Sequence, residues 1–190
     1  IEEALKLDKV QLAYDLCHSA LKKNNNPSLL KLMSQVFIQA GETMAAGNAL
    51  LKFIKDFGFE PNVAIDCAVL YQISMTNQIT SIRLCKDCLN HIPAISEKNL
   101  NKLATLFIQH DLIKEALTVL EFASKNYDFN KETFFNFANC LKFIGNFKKC
   151  DRVLRQIIDT DNHYYRAYST MISLPKNSFG DKDLRQILKN

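Results

Sequence analysis

The sequence predicts an all-α protein, a right-handed α-solenoid of about five antiparallel helix pairs, and three observations carry that prediction. One amphipathic helix recurs: VQLAYDLCHSAL, TMAAGNALLKFI, IKEALTVLEFAS and FKKCDRVLRQII share a small residue near the start and larger apolar residues four and seven positions later. The small anchors Ala13, Ala46, Ser81, Ala116 and Cys150 stand 33, 35, 35 and 34 residues apart, and self-similarity at a fixed period marks stacked helical repeats. Only five Gly and four Pro punctuate 190 residues, too few turn residues for a sandwich or barrel.

The elements follow in order from these anchors. The chain opens inside a first helix, at about Ile1 to Leu7, and lacks an initiator Met, which reads as a piece of a longer chain. Sixteen residues upstream of each later anchor stands a large apolar residue, Leu30, Ile65, Leu100 or Phe134, with Tyr168 34 residues after Phe134. Every repeat is therefore a helix pair. Within first helices the apolar residues recur at three- and four-residue steps, as in Leu100, Leu103, Ala104, Phe107 and Phe134, Phe137, Ala138, Leu141, one face of an α-helix.

The turns inside the pairs keep the same register. Gly41 and Gly145 lie five residues before their anchors, with Asp8, Thr76 and Asp111 at the equivalent place; Gly there serves as a helix C-cap in the left-handed conformation. Asn26 before Pro27 and Asn130 before Lys131 read as N-caps, the former with Pro at the first helical position. The third pair, Cys67 to Leu89, needs a one-residue slip to align Tyr71 and Ile79, and lacks a closing Gly. Near the end, Arg166, Ala167 and Tyr168 start a further first helix that Leu174-Pro175 stops, and Asp181 caps a short helix bearing Leu184, Ile187 and Leu188. The expected organisation is a repeat array over 1–174 and a C-terminal turn and capping helix over 175–190.

Helix pairs of this length and pattern resemble the tetratricopeptide repeat (TPR) family, most clearly in Phe134, Phe137, Ala138, Leu141, Gly145, Phe147, Cys150, Leu154 and Ile157. The resemblance covers about residues 1–174; Cys150 and Ser81 stand where the family usually has Ala. It implies a superhelix whose first helices line a concave groove for extended peptides, and so a scaffold that binds a peptide or partner protein rather than an enzyme. By spacing, the polar residues that first helices present there are Lys31, Gln35, Asp66, Cys67, Lys98, Asn101, Lys102, Asn136, Asn139, Lys142 and Arg166. TPR domains that grip the C-terminal carboxylate of chaperone tails use a clamp of basic residues and Asn. Lys31, Gln35, Cys67, Lys98 and Lys102 occupy those places, three of them basic, with Gln35 and Cys67 in place of the two Asn. An acidic peptide is among the ligands this lining implies.

Composition narrows the remaining classes. The longest charge-free stretch, Cys67 to Ile82, holds Gln72, Ser74, Thr76, Asn77, Gln78 and Thr80, too polar to cross a bilayer, and Ile1 to Lys9 contains no apolar signal-peptide core. All six Cys sit inside apolar helical patterns, which suggests reduced, buried thiols and a cytoplasmic setting. No cofactor or metal is expected. Cys85-Lys-Asp-Cys88 with His91 offers zinc-ligand chemistry, but the two Cys occupy the core places of Leu120 and Ala123, and no second pair completes a site. His18, His91, His110 and His163 are scattered and the five Gly isolated, so no catalytic triad or phosphate loop is legible.

Residues 142–190 hold ten Lys/Arg against five Asp/Glu, the densest cluster being Lys148, Lys149, Arg152 and Arg155. It falls on a second helix without interleaved aromatics, so nucleic acid is not the expected partner. Asp161 to Leu188 is also loosely similar, in Asp161, Ala167, Tyr168, Lys176, Asp181 and Leu184, to the linker of bacterial TPR-sulfotransferase proteins. That resemblance implies the alternative of a docking or assembly module of a larger enzyme, its catalytic domain outside this chain. Terminal pairs with uncovered apolar faces could also join two copies in a homodimer.

Overall fold

The computed structural model describes residues 1–24 and 26–175, and over these the apolar periodicity folds into α-helices without a strand. The helices are α1 (Glu2–Lys6), α2 (Val10–Lys23), α3 (Pro27–Gln39), α4 (Thr43–Phe57), α5 (Pro61–Ser74), α6 (Gln78–Cys88), α7 (Glu97–Gln109), α8 (Ile113–Asn126), α9 (Lys131–Phe143), α10 (Phe147–Thr160) and α11 (Tyr165–Ile172). Their order reproduces the expected succession of five pairs and a further first helix. A 3₁₀ turn over Leu89–Ala94, containing Pro93, lengthens the connection from α6 to α7. The short helix expected around Asp181 lies outside the described residues.

Helix starts follow the capping residues. Asn26 Oδ1 accepts the Ser28 N–H at 2.8 Å ahead of Pro27, and Asn130 Oδ1 accepts from Glu132 and Thr133 at 3.1 and 3.2 Å. Asn77 and Asn146 do the same for α6 and α10, each satisfying a backbone donor that the first helical turn leaves unpaired.

The turns inside pairs share one geometry. Asp8, Gly41, Asp111 and Gly145 adopt left-handed backbone, φ 55, 78, 57 and 77°. The following N–H then reaches back five residues: Lys9 to Ala4, Glu42 to Phe37, Leu112 to Phe107 and Asn146 to Leu141, at 2.8 to 2.9 Å. These bonds satisfy carbonyls that the helix ends would otherwise leave open. The third turn departs from the expectation at Thr76, because the left-handed residue is Met75, φ 53°. Thr is β-branched and tolerates positive φ poorly. The chain therefore turns one residue early, with the Ser74 hydroxyl donating to the Tyr71 carbonyl at 3.2 Å.

The chain divides into two compact units, Ile1–Lys102 and Leu103–Asn190. In the first, Ala13, Ala46 and Ser81 are completely buried, as are Ile65, Cys67, Ala68, Cys85 and Leu100. Ser81 stands in for Ala without leaving an unpaired hydroxyl, because its Oγ donates to the Ala68 carbonyl on α5 at 3.0 Å. Gly47 lets α5 approach α4 closely: a Cβ there would meet the Tyr71 ring at 3.3 Å. In the second unit Ala116, Val119, Leu120, Ala138, Cys150, Leu154, Ile157 and Ala167 form the core. Phe134, expected as the buried opener of α9, is only partly buried and lies against Phe129. Phe135 takes the interior place, its ring edge-on to Tyr164 at 5.5 Å.

Candidate functional site

In the first unit α3, α5 and the start of α7 face an open cleft of about 540 Å³, with Leu50 of α4 at its base. Helical spacing sets its chemistry, because residues three and four apart share a face. Along α3 the cleft meets Lys31, Ser34, Gln35 and Ile38; along α5 it meets Asn62, Val63, Asp66, Val69, Leu70 and Ile73. The result is polarised along the helix axes. Charged and amide groups sit toward the helix starts, and Ile38, Val69 and Ile73 toward the helix ends, with Ile38 and Ile73 exposed.

Two ion pairs cross the polar end. Lys31 Nζ lies 2.9 Å from Glu60 Oε2 and 4.8 Å from the centre of the Phe53 ring, while Lys102 Nζ lies 2.6 Å from Asp66 Oδ1. Asn62 organises the neighbouring corner. Its Oδ1 accepts from the Ser96 N–H, the Ser96 hydroxyl and Asn99 Nδ2 at 3.0 to 3.1 Å, and its own amide donates to the Ala94 carbonyl at 3.3 Å. One polar atom in the cleft lining is unsatisfied: the buried Ser34 Oγ has no hydrogen-bond partner among the described residues.

The structure brings together four residues expected from spacing, Lys31, Gln35, Asp66 and Lys102. Lys98 is exposed and Asn101 half-buried on α7, and neither lines the cleft. Cys67, expected at a clamp position, is instead completely buried, its thiol directed at the Gly47 carbonyl at 3.3 Å. The reason is the one-residue slip of the third pair, which turns Cys67 toward α4. Burial pushes that thiol up to about 12. Glu60 and Asn62 were not singled out in the sequence, although Ser96 stands one 34-residue period beyond Asn62.

The remaining candidates lie in the second unit. Asn136 and Asn139 are half-buried on α9, and Lys142 donates to the Ser173 hydroxyl at 2.7 Å. Arg166 donates to Glu132 at 3.2 Å and to the Tyr164 hydroxyl at 3.1 Å, with its guanidinium 4.4 Å from the centre of the Phe135 ring. These contacts tie α11 to α9 and use much of the positive charge internally. The basic stripe of α10 behaves similarly. Lys149 pairs with Glu121 at 3.0 Å and holds its carboxyl below the usual range, and Arg155 pairs with Asp151 at 2.9 Å.

The cysteine motif is likewise interior. Cys85 and Cys88 are completely buried, with thiols pushed up to about 12 by burial, and the His91 ring lies against Phe59 at 5.1 Å. Among the described residues no three His, Cys, Asp or Glu side chains come together as a metal site, and no helix is long and apolar enough to cross a membrane.

No protein-family signature matches the chain, and no curated protein sequence matches it. Solved structures do. YrrB, a TPR protein with an unusual peptide-binding site, is 10% identical at a TM-score of 0.71 over 89% of this chain and 87% of its own. A tetratricopeptide repeat protein from Parabacteroides merdae is 15% identical at 0.72 over 91% of this chain and 68% of its own. MamA of AMB-1 is 13% identical at 0.70 over 86% and 88%. At such identities the likeness is one of fold, and the fold is that of the TPR solenoids.

Proposed function

We propose that this protein is a non-catalytic scaffold that holds an extended segment of a partner protein, or a peptide, in the cleft of its first unit. The observation that carries the reading is the cleft itself: three successive first helices present side chains to one open surface, with solvent-facing Ile38 and Ile73 beside hydrogen-bonding Gln35 and Asn62. Exposed apolar groups interleaved with amides suit a chain that brings both side chains and backbone polar groups. The fold shared with YrrB, which has a peptide-binding site, supports the same use here.

Panning a random-peptide library against the purified protein tests this. Binders should compete with one another and lose about tenfold or more in affinity when Gln35→Arg and Ile73→Asp are combined, since central contacts dominate binding energy. Binders indifferent to both substitutions would place recognition on another face.

A further inference from the structure

The groups that line the first unit's cleft also restrict what it accepts. Its two cations are already engaged, Lys31 by Glu60 at 2.9 Å and Lys102 by Asp66 at 2.6 Å. An anionic ligand would exchange one carboxylate for another and then lie beside the displaced acid as a like charge, so little net attraction remains. A cationic ligand meets the mirror of that argument, because Glu60 and Asp66 face their own lysines. The apolar end has no such compensation: Ile38 and Ile73 are 48% and 62% exposed, and covering them removes apolar surface from water. Between the two ends lies the buried Ser34 Oγ, which lacks a partner. A buried hydroxyl without one is a cost that a peptide N–H or C=O can relieve and a purely hydrocarbon ligand cannot.

The geometry points to one kind of occupant: an extended, uncharged polypeptide segment that seats an apolar side chain among Ile38, Val69 and Ile73 and meets the Ser34 hydroxyl with its backbone. This rests on the scaffold reading above and sets the class of partner segment.

Two labelled peptide pools test it by fluorescence anisotropy on the full chain. One contains mixed nonamers of Ile, Leu, Val, Ser, Gly, Asn and Gln with blocked ends. The other replaces the polar positions by Asp and Glu and leaves a free C-terminal carboxylate. The neutral pool should bind about tenfold more tightly than the acidic one, and its affinity should change by less than about twofold between roughly 50 and 500 mM NaCl. Ile73→Asp, at an exposed position, should weaken it about tenfold or more. Ser34→Ala should weaken it by about fivefold while the melting temperature holds or rises, because the change removes an unpaired buried hydroxyl. Tighter binding of the acidic pool with steep salt dependence would overturn the inference and leave the scaffold reading standing. Neutral-pool affinity unchanged in Ile73→Asp or in Ser34→Ala would overturn the seating or the backbone contact. Failure of both pools would overturn the inference, and the panned binders would then decide the scaffold reading separately.

Discussion

Met75 holds a left-handed backbone, φ 53°, while its side chain is 77% exposed. It bears the conformational cost of an L-residue in that region and gains little from packing. Met75→Gly should therefore stabilise the protein by about 0.5–1 kcal/mol, the relief of strain exceeding the added freedom of the unfolded chain. Gly145, φ 77°, is the converse case. A Cβ there meets nothing within 4 Å, so Gly145→Ala should cost about 1 kcal/mol from backbone strain alone. Urea denaturation of the two variants measures both. The left-handed place was legible at Gly41 and Gly145 because few other residues adopt it easily; at the third turn Thr76 misled, since its branching moves the turn to Met75.

The buried thiols define a pH window at the same scale. Burial pushes Cys67, Cys85 and Cys88 from 9.0 to about 12, and Cys140 and Cys150 to about 11. A raised folded-state value means that the unfolded chain loses these protons first as pH rises. The stability is then fully present below pH 9 and lost as pH climbs toward the folded values. The unfolding free energy from urea titration should stay level from about pH 7 to 8.5 and fall beyond pH 9, by at least about 1 kcal/mol per pH unit. A thiol reagent at pH 8 should label the folded protein slowly and all six Cys after unfolding.

At the scale of elements, polar links join successive first helices at separations near one repeat: Lys31 to Glu60 over 29 residues, Asn62 to Ser96 over 34, Asp66 to Lys102 over 36 and Glu132 to Arg166 over 34. Sequence spacing identified which residues face away from the core, and so found Lys31, Lys102 and Arg166. It also found Asp66, but neither its pairing with Lys102 nor the partners Glu60 and Glu132, because a lysine reads as solvated until a residue one period away is placed opposite it. The acids were visible at those intervals all the same. Asn62 is the most connected of these links. Asn62→Ala removes an acceptor shared by three donors and should cost about 2 kcal/mol, each bond contributing roughly 0.5–1.5 kcal/mol net. Faster amide exchange across the first turn of α7 would accompany that loss.

Over the described residues, helix number, pairing and four of the five turns inside pairs followed from one period, since every repeat must bury the same stripe against its neighbours. The division between Lys102 and Leu103 did not. Leu100, Leu103, Ala104 and Phe107 run through α7 in unbroken helical register and are all buried, so no break in pattern marks it. The charge balance of the cleft was also illegible, because it depends on ion pairs between repeats, Lys31 with Glu60 and Lys102 with Asp66, and nothing in the pattern singled out exposed Ile73. The central claim is that the first-helix cleft of the first unit holds a peptide segment. Hydrogen–deuterium exchange with and without a panned peptide tests it most directly. Exchange should slow in Pro27–Gln39, in Pro61–Ser74 and in α7 around Lys102, with Phe147–Thr160 unchanged; slowing confined to Phe147–Thr160, with the cleft helices unaltered, would contradict a peptide held in the cleft.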